Sequence, residues 1–457
     1  MSTVTKTALQ ESAERHLWMN FSRLGAPVEG HELPIMVRGE GCYVWDEHGK
    51  RYLDALSSLF CVNIGHGWTE VSQAGADQAK ELEYYPAWSA AHPPVIRLAE
   101  RIASLAPGDL NRVFFTSGGG ESVDSAIKLA RQHFKVAGKP LKTKIIARDG
   151  AYHGTTMGAL SATGIQVARQ PFEPLMPGGS HVSNTDVYHR PDGFDAGSLA
   201  QEFEDRILFE GPDTVAAILV EPVQTAGGCY TPPDGYFQRV RDICDQYDVL
   251  MVSDEVICAW GRLGEWFGCQ RYGYVPDIIT TAKGLTSAYA PMGAVIVRDS
   301  VAEPFLRTGE LFQHGFTFAG HPVSAAVAMA NLDVFEREGL LDNVRANEGL
   351  LRSTLEALRD IPVVGDVRGA GYFQAVELVK DAATHTRFSA SESDTVLHWV
   401  ADELFDRGLI FRADDRSGSP VIQVAPPLTF GPGEIAEMGA LIRPVVEEVA
   451  ERFGAGS

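Results

Sequence analysis

The 457-residue chain carries 39 basic against 60 acidic side chains, a formal charge of −21, with 45% hydrophobic residues, 46 Gly and 25 Pro. That balance excludes nucleic-acid binding through a basic surface and fits a turn-rich globular α/β protein rather than a disordered chain. Its length allows two domains, since single cores stop growing beyond roughly 250–300 residues. Six scattered cysteines, Cys42, Cys61, Cys229, Cys244, Cys258 and Cys269, show no CxxC pair and no His at metal-ligand spacing, which predicts a reduced chain without a metal site. The N-terminus lacks the apolar core of a signal peptide, and no stretch approaches about 18 uncharged apolar residues. A soluble, cytoplasmic protein is expected.

In chain order, residues 9–21 have the spacing of one amphipathic helix. GCYVWD at 41–46 and RYLDAL at 51–56, joined by EHGK with His48-Gly49 at the turn, read as a hairpin. Antiparallel arms do not belong in a parallel sheet, so this piece is assigned to a small domain or an edge. Residues 59–63 then lead through Gly65-His66-Gly67 into the main domain. The cluster Tyr84-Tyr85-Pro86-Ala87-Trp88 suits a core, an interface or a pocket wall.

Residues 111–137 read as strand, glycine turn and helix, with Val123, Ile127, Ala130 and Phe134 on one helical face. Gly118-Gly119-Gly120 therefore lie at a helix N-terminus, where converging N–H groups and missing Cβ atoms admit a phosphate. A flexible turn has the same sequence. Neither a Walker loop nor a GxGxxG fingerprint is present. Strand-like runs at 144–147, 215–220, 249–252, 278–281 and 293–297 alternate with helical stretches and predict a doubly wound, mostly parallel sheet. Between them, polar and glycine-rich residues 177–197 predict a functional surface loop or mobile lid. Beyond about Phe335, strands near 367–378, 408–411 and 421–424 predict a smaller α+β domain.

Two of these runs end in chemistry. Asp254 follows 249–252, and Lys283 follows 278–281, and open parallel sheets bind ligands at strand carboxyl ends. An acid and a lysine meeting there suit pyridoxal phosphate (PLP): the amine bonds to the aldehyde, and the carboxylate keeps the pyridine nitrogen protonated. Each residue alone is better read as a helix cap or a solvated lysine, and the rest of the chain decides.

SDEVICAWGRLGEWFG at 253–268 and AKGLTSAYAPMGA at 282–294, together with TSGGGESVDSAIKLAR, AYHGTT and GFTFAGHP, resemble the class III aminotransferases, PLP enzymes of fold type I. The resemblance runs from about His16 to Val449. It implies a large PLP-binding domain at 66–335, a C-terminal small domain at 336–457, and an N-terminal segment at 1–65 belonging with the small domain. It also implies that Lys283 is the Schiff-base lysine and proton carrier and that Asp254 pairs with the pyridinium. Tyr152 and Val256 would cover opposite ring faces, and Gly119 and Gly120 would donate N–H groups to the phosphate. Glu221 would support Asp254 or gate the substrate arginine; by itself it is a strand-end acid. Thr317 would reach the phosphate of a neighbouring subunit, which makes a homodimer necessary and leaves a tetramer open. The family commonly has a hydroxyl where this chain has Gly120, so weaker cofactor retention is expected. Leu263, where Thr is usual, and Trp260 are milder departures.

GLIFR at 408–412 followed by Pro426-Pro427-Leu428 is similar to the ω-amino acid or amine:pyruvate branch. The resemblance implies that Arg412 binds the carboxylate of a 2-oxo acid, for which a guanidinium fork is suited, and that Phe60 and Trp88 are aromatic pocket walls. Read alone, Arg412 is an arginine in a charged loop. The implied reaction is ping-pong transfer of an amino group from an ω-amino acid or primary amine to pyruvate. A 2,1-aminomutase or lyase on the same fold, and a PLP-binding protein without turnover, are the alternatives.

Overall fold

Residues 7–22, 33–191 and 193–455 are described by the structure, a computed structural model. The central sheet forms from strands apolar on both faces. All six side chains of Val215–Val220 are buried, with Val215, Ile218 and Val220 in one core cluster and Ala216, Ala217 and Leu219 in another. Seven strands lie in the order Leu110–Thr116, Gly293–Arg298, Ile278–Thr281, Leu250–Asp254, Val215–Val220, Lys144–Arg148, Gly179–Val182. Gly293–Arg298 runs antiparallel to both neighbours, and the strands from Ile278–Thr281 to Gly179–Val182 are mutually parallel. A parallel neighbour needs a crossover. The connection at 282–292 holds only the 3-10 turn Lys283–Leu285, so the chain doubles straight back.

The helix Gly119–Val136 follows the first strand and packs its predicted face inward, with Val123, Ile127, Ala130 and Phe134 all buried. Two four-stranded sheets flank this unit. In one, the expected hairpin forms with Tyr43 opposite Leu53 and Trp45 opposite Arg51. Its second arm, Arg51–Asp54, pairs in parallel with Leu409–Ile410, which joins the N-terminal hairpin to the C-terminal region. The other sheet is antiparallel and contains Val364–Ala370, Phe373–Leu378, Val421–Val424 and Arg412–Asp414. No helix among the described residues is long and apolar enough to cross a membrane.

Two expectations change. The helix expected over 9–21 is Ala8–His16: a Thr7/Gln10 capping box starts it, and Leu17 in extended conformation ends it. Part of the stretch expected to be a loop or lid, 177–197, is the edge strand Gly179–Val182, which pairs in parallel with Lys144–Arg148.

Beyond that strand the segment is anchored by charge. His189 Nδ1 lies 2.6 Å from Asp186 Oδ2, and its Nε2 lies 2.8 Å from Glu377 Oε1, an ion contact too bent to be a hydrogen bond. Glu377 also pairs with Arg368 at 2.7 Å, and Arg368 donates to the carbonyls of Gly227 and Gly228. Burial pulls the His189 imidazole down, but the two carboxylates outweigh it and raise it from 6.5 to about 9. A group raised in the folded state contributes its full stabilisation below its unfolded pKa and loses it as pH rises through the folded value. Cleavage by a protease near residues 186–190 is therefore expected to accelerate about tenfold or more as pH passes about 9. His189→Gln should abolish that dependence.

Candidate active site

The carboxyl ends of the parallel strands converge on one cavity of ≈ 410 Å³, the place where such sheets bind ligands. Gly119 and Gly120 come from the turn after Leu110–Thr116 and Tyr152 from the turn after Lys144–Arg148. Glu221 follows Val215–Val220, Asp254 ends its own strand with Val256 just beyond, and Lys283 follows Ile278–Thr281. These seven predicted residues all line the cavity.

Asp254 is 5% exposed, and a carboxylate buried to that degree needs partners. Its Oδ1 accepts from Val256 N and Thr280 Oγ1, each at 3.1 Å, and its Oδ2 meets His153 Nδ1 at 2.7 Å. A carboxylate only accepts, so the His153 proton on this contact sits at Nδ1. Oδ1 then has two donors and Oδ2 one, which leaves an Oδ2 lone pair for a further donor. Glu221 is 4% exposed; its Oε2 accepts from Thr225 N at 3.0 Å, and its Oε1 is without a partner among the described residues. Burial pushes its carboxyl up, and the Asp254 charge adds to the push. Lys283 stands at φ +40°, a left-handed backbone rare for a side-chain-bearing residue. Burial lowers its pKa, and the Arg412 charge acts in the same direction against the attraction of Asp254.

The phosphate end is set by backbone. Gly118 precedes the helix in extended conformation, so the N–H groups of Gly119 and Gly120 open onto the cavity at the positive helix end. A Cβ on Gly119 would lie 2.8 Å from Val256 Cγ1, so only glycine fits there, whereas one on Gly120 would lie 3.4 Å from Thr156 Cγ2, an ordinary contact.

Phe60 lies between the two predicted cations. Lys283 Nζ is 5.8 Å and the Arg412 guanidinium 5.9 Å from its ring centroid, within cation–π range. Ser57, Ser58 and Phe60 all have positive φ. Asp54 holds this turn by accepting from Leu56 N and Ser58 N, and Ser57 Oγ donates to Ala425 O at 2.8 Å. Trp88 and Thr317 are not brought to this cavity. Trp88 is 72% exposed beside Gly315, and Thr317 is exposed, its carbonyl accepting from Tyr84 Oη at 2.6 Å. The expected aromatic wall at Trp88 is therefore absent from the chain's own site: the 82–92 connection runs over the surface.

A cofactor with an aldehyde, a pyridine nitrogen and a phosphate fits this set. Lys283 would supply the amine, the spare Asp254 lone pair would accept from a protonated pyridine nitrogen, and the glycine turn would admit a phosphate. The model for aminotransferase class-III matches residues 25–446. The chain belongs to the class III aminotransferases. A probable aminotransferase of Mycobacterium tuberculosis is 54% identical over 450 residues, 98% of this chain and 96% of that protein. The putrescine–pyruvate aminotransferase of Pseudomonas aeruginosa is 40% identical over 423 residues, 91% of each. Among solved structures, a thermostable (S)-enantioselective ω-transaminase from Thermomicrobium roseum superposes with a TM-score of 0.93 at 39% identity, covering 98% of this chain and 100% of that one. This class III aminotransferase is thus a PLP-dependent enzyme of fold type I.

Residue-by-residue sequence reading missed His153, although it adjoins Tyr152 in AYHGTT. The available signal was physical: a buried Asp254 had to have a donor. It also missed the partners of Arg412, because ADDRSG reads as surface charge.

Room at Gly120 leads to a paired expectation. Gly120→Ser adds a hydroxyl at the helix N-terminus and should tighten PLP retention about five- to tenfold, the worth of one added hydrogen bond of about 1 kcal/mol. Gly119→Ala should loosen retention by driving Val256 off its place. Fluorescence titration of the apo-protein with PLP reads both; equal affinities across the three proteins would contradict the glycine geometry.

Proposed function

We propose that this aminotransferase moves an amino group from an ω-amino acid or primary amine to pyruvate or another 2-oxo acid, in two half-reactions at one site. The carrying observation is Phe60, with the Lys283 amine and the Arg412 guanidinium at 5.8 and 5.9 Å from one ring. A proton-transferring amine and a carboxylate-binding fork then share a single substrate wall. The putrescine–pyruvate and ω-transaminase relatives support the same reading.

Bound PLP supplies a carbonyl to receive the amino group and a pyridinium to draw electrons from the donor carbon. Asp254 keeps the positive charge at the pyridine nitrogen, and His153 and Thr280 keep Asp254 in place. Lys283, with its pKa lowered by burial, would carry the proton between the substrate carbon and the cofactor within each half-reaction, in one direction for the donor and in the other for the acceptor. Tyr152 and Val256, which line the same cavity, would hold the ring between them, and Gly119 and Gly120 would anchor the phosphate. Glu221, which lines the cavity and has an unpartnered Oε1 among the described residues, would serve as a polar group for the incoming amine or for Arg412. Arg412 binds the 2-oxo acid carboxylate, and a donor without a carboxylate leaves it unused.

Thr317 and Trp88 complete the neighbouring site in a homodimer. Trp88 is exposed against Gly315, and Thr317 is exposed next to Phe318, itself 61% exposed and in ring contact with Tyr84; exposed apolar side chains of this kind suit a subunit interface. The six thiols are free, five of them buried, in keeping with a reducing cytoplasm.

Arg412→Ala should raise KM for pyruvate about tenfold to a hundredfold, the worth of a charged bidentate pair, while KM for a carboxylate-free amine stays within about twofold. Steady-state assays of a donor panel decide this, and equal losses for both substrates reject the carboxylate role. Consumption of amine with no acceptor present would reject transamination. For the dimer, inactive Lys283→Ala mixed and refolded with a Trp88→Ala/Thr317→Ala double variant should recover about a quarter of wild-type activity, since half of the dimers carry one intact site. No recovery would place Thr317 and Trp88 outside the neighbouring site.

A further inference from the structure

The Arg412–Asp414 strand carries a three-charge clip. Asp414 Oδ2 meets Arg412 Nε at 3.2 Å and Arg416 Nη1 at 3.3 Å, and Asp414 Oδ1 accepts from Arg416 N at 2.9 Å. The Asp414 side chain is only 1% exposed, against 25% for Arg412 and 29% for Arg416. The strand Val421–Val424 pairs along it, with Asp414 opposite Val421, so the carboxylate cannot swing away to solvent.

Geometry and charge count point the same way. Asp414 grips Arg412 through Nε alone, and among the described residues the two terminal nitrogens of Arg412 have no hydrogen-bond partner. They are one of the edges a carboxylate uses for paired bonds. A lone Asp414 would neutralise Arg412 and compete with the substrate. With Arg416 on the same oxygen, two positive charges share one negative charge and the clip remains at net +1. Both guanidinium fields reach Tyr152 at the cavity; the neighbouring Asp415 is exposed, as is Arg416, and its solvent-screened field acts on Arg416.

We propose that Arg416 is a positioning residue for the acceptor half-reaction: by sharing Asp414 with Arg412, it preserves the positive charge of Arg412 and keeps its terminal nitrogens free for the 2-oxo acid carboxylate. This rests on the carboxylate role of Arg412 proposed above. The test uses the PLP-loaded enzyme at saturating carboxylate-free amine with pyruvate varied. Arg416→Ala should raise KM for pyruvate about tenfold with kcat and KM for the amine within about twofold. Arg416→Lys, which keeps the charge and changes the shape, should restore KM to within about threefold of wild type. Should the alanine variant fail to fold, Arg416→Gln carries the same expectation.

Arg412→Ala in parallel separates the two ideas. If it raises KM for pyruvate while Arg416→Ala does not, the positioning role is overturned and the carboxylate role stands. If neither changes KM, the carboxylate role falls and this inference falls with it. A loss spread equally over amine and pyruvate that lysine does not rescue would make Arg416 a hairpin brace only, and would also overturn the proposal.

Discussion

The Asp254 carboxylate, almost wholly buried, is the constraint on which the site depends. A carboxylate removed from water costs several kcal/mol unless donors replace its hydration. The replacements come from three places: Val256 N on its own turn, Thr280 on the adjacent strand, and His153 from two strands away. Each contact fixes the relative height of strand ends, so the demand of one acid sets the floor of the cavity. Glu221 shows the contrast. It has one donor, a free Oε1 and a carboxyl pushed up by burial. Two buried acids near one another are thereby given different chemistry by their surroundings.

Substrate-facing geometry depends on a second buried charge, Arg262. It is fully buried, and burial lowers its pKa to about 10. Its guanidinium donates to Ser57 Oγ and Asn63 Oδ1 in the segment that carries Phe60, and to the carbonyls of Tyr372 and Pro426. The left-handed residues Ser57, Ser58 and Phe60 would relax without such bracing, since backbone strain persists only where surroundings over-determine it. Asn63 extends the brace to the lysine side by donating to Trp260 O, and a Cβ on Gly284 would come within 2.4 Å of Asn63 Nδ2. Phe60 and Lys283 are therefore placed by one packed unit that includes both flanking and central elements.

Elements governed by local periodicity were legible in the sequence. The apolar face Val123, Ile127, Ala130 and Phe134, the strand at 215–220 and the hairpin of 41–56 follow from spacing alone. What was not legible depended on partners distant in sequence. The direction of Gly293–Arg298 follows from a connection too short for a crossover. The anchoring of the 183–191 segment depends on Glu377, far along the chain in the strand Phe373–Leu378. His153 and Asp254 are likewise 101 residues apart, so neither one's neighbours announce the pair. Among the predicted site residues, Lys283 and Asp254 could be brought to one cavity from sequence because both stand at strand carboxyl ends of one sheet; the place of Trp88, on the surface of its own chain, had no such local signal.

This division has a consequence for how the enzyme can vary. The cofactor groups stand on strand ends held by backbone pairing in a seven-stranded sheet, where a change in one position disturbs its neighbours. The groups proposed to meet the substrate stand elsewhere, Phe60 on a braced left-handed turn and Arg412 at the start of a three-residue strand, with Arg416 in the loop that follows it. Charge in that loop can be altered without moving Asp254, Lys283 or the glycine turn, because among the described residues no backbone pairing links it to the central sheet. Under the roles proposed for Arg412 and Arg416, acceptor preference would be set by a few side chains whose electrostatic sum matters more than their individual contacts, while the chemistry proposed for Lys283 would stay the same.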